Sequence, residues 1–216
     1  MISFCITSCN RWELLEKTID SFLKLNNFPI EKYLLNEDST DVEIIHKILK
    51  KYGSLFHIIR TPKNEGLLKA VDNLYALVDT EYIFHTEDDW LYETNSHFIE
   101  ESLNILKDRK DIHQVWIRKD IPKEWIEKQS FDNYHLIHPS HLGGWCGFSW
   151  NPGLRRKKNY LDMFPEGFNK HRVSKDIGIS ELECNNIAKA QGYRAAILTN
   201  PTCSHIGHHQ ATRREK

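Results

Sequence analysis

Three consecutive acids, Glu87-Asp88-Asp89, stand where the apolar run Tyr82-Ile83-Phe84 gives out, and Trp90-Leu91 closes the turn behind them. Like charges this close repel, so the triplet costs stability unless a cation or hydrogen-bond donors compensate. Hard divalent cations take oxygen ligands, and Mg²⁺ characteristically uses one or two carboxylates and then substrate phosphates. A solvated acidic turn is the plain alternative for any acidic triplet. The position behind a buried-looking strand favours a metal–diphosphate site. Two more polar clusters follow apolar runs in the same way: Thr7-Ser8-Cys9-Asn10 after the first, and Asn36-Glu37-Asp38-Ser39-Thr40-Asp41 after Tyr33-Leu34-Leu35. In an open α/β sheet, ligands bind outside the carboxyl ends of the strands, which would bring all three clusters to one crevice.

Other chemistry-bearing groups lie further along. Cys203, His205 and His208, with Cys184 as an optional fourth, form a soft donor set suited to Zn²⁺, but the paired CxxC spacing of a structural zinc site is missing. His135, His138 and His141 recur every third residue, yet Pro139 and loop signals argue against a helical metal face, and they receive no role. Gly143-Gly144-Trp145-Cys146-Gly147-Phe148-Ser149-Trp150 either lines a sugar-binding cleft or packs Phe148 and Trp150 into the core. Arg155-Arg156-Lys157-Lys158 reads as a solvated basic helix end, with a diphosphate contact as the alternative. In Ser180-Glu181-Leu182-Glu183 the two glutamates would point about 200° apart on a helix, so only one can face a given site. Ser180 with Glu183 matches a capping box. Glu181 would then sit near a helix N-terminus, where it complements the dipole or is free for chemistry.

These groups need elements to position them. Ile2 to Thr7 reads as a strand, and Arg11 to Leu25 as a helix with Trp12, Leu15, Ile19, Phe22 and Leu23 on one face. Tyr33 to Leu35 is a second strand, and Ile44, Ile45, Ile48 and Leu49 stripe a second helix. Phe56 to Ile59, a helix from Leu67 to Val78, and Tyr82 to Phe84 complete the first half. Strands alternating with helices at this spacing indicate βαβ units and a parallel sheet. The second half is less regular: a helix over Phe98 to Leu106, a strand at Val115 to Ile117, loops over 120–144, a helix from Ser180 to Gln191 ended by Gly192, and a strand from Tyr193 to Leu198.

Composition narrows the options. With 216 residues the chain suits one domain, and 29 Lys+Arg against 30 Asp+Glu removes any global electrostatic case for nucleic acid. No apolar run approaches the roughly 20 residues that span a bilayer, so no transmembrane segment is expected. Met1 to Thr7 lacks a basic n-region and a cleavage site and reads as a strand. Five irregularly spaced cysteines cannot all pair within one chain, which points to reduced thiols and a cytoplasmic location.

Taken together, Ile6-Thr7-Ser8-Cys9-Asn10-Arg11, the acidic run at 36–41, Asn64-Glu65-Gly66 before a helix, and Glu87-Asp88-Asp89-Trp90 in the place of a DxD motif resemble family 2 of the GT-A-fold nucleotide-sugar glycosyltransferases. The resemblance covers residues 2 to about 92, then resumes near 143–150 and 178–209. It implies a Rossmann-like αβα sandwich with a mostly parallel central sheet, formed by one domain over 1–210. Residues 1–92 would be the nucleotide-binding half, 93–210 the acceptor-binding half, and 211–216 a frayed tail. It implies further that Thr7 and Glu37, with Asp38 as the register alternative, contact the nucleoside, and that Asn64 and Gly66 approach the nucleotide. Asp89 would hold Mn²⁺ or Mg²⁺, Glu87 the ribose or a metal-bound water, and Asp88 a secondary place. His205, with His208 as second choice, would be a further metal ligand. Counting back from Gly192-Tyr193, Glu181 falls on the catalytic acid, with Asp176 in reserve. The implied activity is transfer from a nucleotide sugar, a UDP-sugar being expected, to an acceptor hydroxyl of a carbohydrate or glycoconjugate with inversion. Where the family usually has Asp, this chain has Asn36 and Glu37, which leaves the base open. Two rivals stand beside this reading. A sugar-phosphate nucleotidyltransferase would want a glycine-rich loop after the first strand, and Ser8 to Glu13 has no glycine. A non-catalytic zinc- or carbohydrate-binding module would leave the clustered acids without a purpose.

Overall fold

The computed structural model describes residues 1–61, 63–119, 121–138, 147–173 and 177–207. Its first half follows the expected alternation: β1 (Ile2–Ser8), α1 (Trp12–Leu25), β2 (Lys32–Glu37), α2 (Val42–Tyr52), β3 (His57–Arg60), α3 (Leu67–Ala76) and β4 (Tyr82–Glu87). There follow β5 (Trp90–Tyr92), α4 (Phe98–Asp108), β6 (Ile112–Trp116), β7 (Ile126–Ser130), β8 (Tyr134–Ile137), β9 (Gly153–Arg156), α5 (Lys157–Met163), a 3-10 turn (Phe168–His171), α6 (Ile177–Ala190), β10 (Arg194–Leu198) and β11 (Cys203–His205).

Among the described residues nine strands form one sheet in the order β3-β2-β1-β4-β9-β6-β10-β8-β7, and β11 pairs with β5 in a separate ribbon. The ladders β3-β2-β1-β4 and β6-β10 are parallel, whereas β9 is antiparallel to both β4 and β6, and β8 to both β10 and β7. Only β8 and β9 therefore run against the rest, and the sheet is mostly parallel. Residues 120–144 are not all loop as expected: the hairpin β7-β8 extends the sheet edge. Its strands are short and mixed in polarity, so periodicity did not mark them.

The two faces of the sheet bury separate cores, because alternate strand residues point to opposite sides. Phe4, Ile6, Phe84 and Leu154 face α1, α2 and α4, where Phe4 and Phe22 bring their ring centroids to 4.1 Å. Cys5, Leu34 and Ile83 face α3, α5 and α6, and Phe148 and Trp150 belong to this core, packed on Phe168. The layering is an αβα sandwich.

The basic run 155–158 is not a solvated helix end. Arg155 and Arg156 lie in β9 and are 5% and 8% exposed. They point to opposite faces: Arg156 donates to the carbonyls of Leu106, at the end of α4, and Ile112, while Arg155 reaches Ser149 O at 3.1 Å and Asn151 O at 3.4 Å. A guanidinium on the last carbonyls of a helix also opposes the negative end of its dipole. Lys158 alone is well exposed, paired with Asp162 four residues on.

Asp72 joins α3 to the turn beneath α6. Its carboxylate accepts from Phe168 N at 2.7 Å, Asn169 N at 2.9 Å and Tyr160 Oη at 3.2 Å. Gly167, at φ +84°, lets the chain pass so close that a Cβ there would meet Asp72 Oδ2 at 2.8 Å. Asp72→Ala removes a charged acceptor from three donors and should cost about 2–3 kcal/mol in urea unfolding, with ligand affinity of the folded protein unchanged.

Candidate functional site

Register builds the floor of the site. Thr7 lies opposite Asn36 on β2 and opposite Glu87 on β4, and Ser8 lies opposite Glu37. Both neighbouring strands run past their apolar stretches, so Asn36, Glu37, Thr86 and Glu87 are strand residues and not loop residues as their polarity suggests. Beyond β1 the chain turns through Asn10, whose φ of 59° is left-handed. That turn aims the Asn10 N–H at Glu37 Oε1, 2.8 Å away. Glu37 is fully buried and its Oε2 has no partner among the described residues, nor has the buried Thr7 Oγ1.

Asp38 differs from its neighbour. Its Oδ1 accepts from Thr61 Oγ1 and Glu65 N, both at 2.8 Å, and its Oδ2 from Gly66 N at 2.6 Å. Gly66, at φ 90°, enters α3 in a conformation that only glycine adopts without strain. Asn64 donates to Asp38 O at 3.0 Å and Cys9 Sγ at 3.1 Å, and its side chain is exposed above the strand ends. Asp38 thus anchors the loop that carries Asn64 and Gly66, while the open acceptor is on Glu37.

The acidic triplet lies at the end of β4. Asp88 is fully buried, accepting from Ser8 Oγ at 2.9 Å and from the Arg11 guanidinium through Nε at 3.1 Å and through Nη2. Arg11 Nη1 also reaches Asp89 Oδ2 at 2.7 Å. Strand β11 pairs with β5 so that His205 stands opposite Trp90, which brings His205 Nε2 to 3.1 Å from the same oxygen. Ile206 N donates to Asp89 O at 2.9 Å, and a Cβ on Gly207 would fall 2.3 Å from Asp89 Oδ2. Asp89 is 6% exposed and its Oδ1 has no partner among the described residues. Burial pushes Asp88 up to about 7 even with Arg11 against it. Burial opposes ionisation of Asp89 too, yet the hydrogen bond from His205 and the Arg11 charge hold its carboxyl below the usual range. Glu87, recessed beside them, is pushed up to about 8 by burial, then by the charges of Asp89, Asp88 and Glu181.

Glu181 therefore belongs to the same electrostatic neighbourhood. Helix α6 begins at Ile177, so Ser180 is inside it and no acid occupies its first turn; the capping box with Glu183 and the dipole role for Glu181 are both corrected. Glu181 is turned inward, accepting from Trp150 N at 3.1 Å. Burial raises its pKa, against the Ser149 hydroxyl, the Trp150 N–H and the charges of Arg118 and Arg155. Cys184 does not join the zinc set, because Cys184 and Cys203 sit in the two different cores. Asp176, His208 and residues 143–146 lie outside the described residues. Among the described residues no three His, Cys, Asp or Glu side chains converge as a complete metal cage. Asp89 Oδ1 and the His205 imidazole nevertheless fit a hard cation that takes its remaining ligands from phosphate. Sequence reasoning gave Arg11, Ser8 and Gly207 no individual role. The signal for Arg11 was a cation at a helix start, where the dipole disfavours it.

Residues 3–171 match the family model described as glycosyl transferase family 2. Solved structures are similar across nearly all of this chain. S. aureus TarS 1–349 matches with a TM-score of 0.67 at 14% identity, covering 95% of this chain and 60% of that one. The same protein in complex with UDP-GlcNAc gives 0.66 at 14%, covering 100% and 59%. The mannosyltransferase PcManGT from Pyrobaculum calidifontis, in complex with GDP-Man and Mn²⁺, gives 0.66 at 14%, covering 97% and 58%. The chain spans about three-fifths of the length of these structures, and the likeness is one of fold, the GT-A sandwich. No curated protein matches by sequence. On the geometry above, Asp38→Ala should lower unfolding free energy by about 2–3 kcal/mol, three buried donors losing their acceptor, with Asp38→Asn losing less; chemical denaturation reads both.

Proposed function

Since the chain belongs to glycosyl transferase family 2, we propose that it is a glycosyltransferase that moves a sugar from a nucleotide donor, a UDP-sugar, to the hydroxyl of a carbohydrate or glycoconjugate acceptor. The observation that carries this reading is a set of buried acceptors left open at the strand ends, Thr7 Oγ1, Glu37 Oε2 and Asp89 Oδ1. Each lacks a protein partner among the described residues, and an unpaired buried polar atom costs about 1–3 kcal/mol until a ligand supplies one.

Residues 1–92 form the donor half. Glu37 accepts the N–H of the base and Thr7 the nearby sugar or base edge; Asn64 and the Gly66 backbone close over the nucleotide, with Asp38 holding their loop. Glu87 lines the ribose or a metal-bound water, Asp88 has a secondary place behind Ser8 and Arg11, and Asp89 with His205 would hold Mn²⁺ or Mg²⁺. When bound, that cation supplies positive charge for the departing diphosphate. Residues 93–210 form the acceptor half. Glu181, fixed by the Trp150 N–H, takes the acceptor hydroxyl proton as that oxygen attacks the anomeric carbon from the face opposite the leaving group, which inverts the centre. Four described cysteines are free thiols, three of them buried, which supports a reducing, cytoplasmic setting. No helix among the described residues is long and apolar enough to cross a membrane.

A thermal-shift panel of UDP, GDP and their sugars with and without Mn²⁺ tests donor binding, because a ligand raises Tm only where it binds the native state. Asp89→Ala should abolish the Mn²⁺-dependent shift. Glu181→Gln should keep that shift and lose about 10²- to 10⁴-fold in kcat. Full activity in either variant removes its assigned role.

The proton-accepting role also predicts a pH profile. A base works ionised, and burial raises the Glu181 pKa above its ordinary 4.5. Activity should therefore fall with decreasing pH through a midpoint above that value. A flat profile down to pH 4.5 would count against Glu181 as base.

A further inference from the structure

We infer that Arg11 is a resident counter-charge of the acidic pair, and that it makes uptake of a divalent cation at Asp89 conditional on a nucleoside diphosphate. The inference rests on the metal reading above and adds to it a residue and an order of binding.

The local backbone is built to deliver this side chain at some cost. Arg11 is the N-cap of α1, a position where Ser, Thr, Asp or Asn would satisfy the free amides; its side chain makes no capping bond. Its charge also lies at the positive end of the helix dipole. The residue before it, Asn10, is the non-glycine residue with positive φ among the described residues. A lost cap and a left-handed residue are offset by what the guanidinium reaches. Its fork takes both oxygens of Asp88 through Nε and Nη2, and Nη1 takes Asp89 Oδ2 at 2.7 Å.

That contact leaves Asp89 with one engaged oxygen and one open. Oδ2 is shared between Arg11 and His205, and Oδ1 has no partner among the described residues. A cation arriving alone would find one open carboxylate oxygen and a fixed positive charge on the same carboxylate. A diphosphate brings both the missing oxygen ligands and the negative charge that offsets Arg11. Arg11 thus keeps Asp88 and Asp89 from repelling each other in the free protein, and discourages a metal that arrives without its nucleotide.

Equilibrium dialysis of Mn²⁺ against the full chain tests this, reading the excess Mn²⁺ on the protein side with and without UDP or GDP in both chambers. The wild type should bind Mn²⁺ about ten-fold more tightly or better when one of the nucleotides is present. Arg11→Gln, which removes the charge and keeps a polar side chain, should tighten Mn²⁺ binding without nucleotide by about ten-fold and shrink that ratio. Arg11→Lys, which keeps charge but not the fork, should retain the nucleotide requirement. Equal Mn²⁺ affinity with and without nucleotide in the wild type overturns the inference, and that measurement decides alone should Arg11→Gln not fold. An unchanged metal-only affinity in folded Arg11→Gln also overturns it. No Mn²⁺ retained under any condition would remove the metal reading itself, and the Arg11 inference with it.

Discussion

Carboxylates gathered at the ends of parallel strands repel one another, and the site depends on a different set of donors holding each one. Two such charges 4 Å apart interact by about 4 kcal/mol at an effective dielectric of 20, enough to consume a large part of a domain's stability. Glu37 is met by the Asn10 amide, Asp38 by Thr61 and two amides, Asp88 by Ser8 and Arg11, and Asp89 by Arg11 and His205. Glu87 is the one left to burial and its charged neighbours, and it answers by holding its proton up to about pH 8. Arg11 is the common element, since its guanidinium donates to both Asp88 and Asp89.

The second half of the chain supplies what the first cannot. Strand β9 runs antiparallel between β4 and β6, so the segment just before it lies at the carboxyl end of β4. Arg155 on that strand grips the carbonyls of Ser149 and Asn151, and the Trp150 amide between them holds Glu181. The position of the glutamate relative to β4 is thereby set by a buried arginine and not by the helix end. In the same way, the small ribbon of β5 and β11 sets His205 against Asp89. Neither contact is local in sequence: 31 positions separate Trp150 from Glu181 in the first, and the second joins positions 89 and 205.

Much of the architecture was legible because its elements obey one period each. The stripes of α1 and α2 and the apolar runs of β1 and β4 mark themselves. The strand ends did not, because Glu37 and Glu87 stay in the ladder by pairing their backbones while their side chains read as loop. The run at 155–158 misled for a related reason: two adjacent arginines on a strand point to opposite faces, and each finds backbone carbonyls in its own core. Ser180 and Glu183 have the spacing of a capping box, but that spacing also occurs within any helix, and the entry at Ile177 lies a turn earlier. The acids and His205 were singled out through motif order, and the structure brings Asp89 and His205 together. Arg11 was passed over, although an arginine at a helix start is the local irregularity that a functional reason explains.

The pattern of satisfied and open oxygens also limits the ligand. Among the strand-end carboxylates, Asp38 has its acceptors filled and Asp88 is closed by Arg11 and Ser8, so neither leaves much for a guest. The buried carboxylate oxygens without partners there are Glu37 Oε2 on β2 and Asp89 Oδ1 just past β4. Strands β2 and β4 flank β1, which sets their ends roughly 10 Å apart. A molecule that answers both must present an N–H or O–H donor at one end and positive charge, or a cation it carries, at the other. An extended nucleoside diphosphate with a divalent ion has that length and that order of groups. Thr7, on the strand between, adds an open hydroxyl midway. The unfilled hydrogen bonds are those that the proposed donor would satisfy.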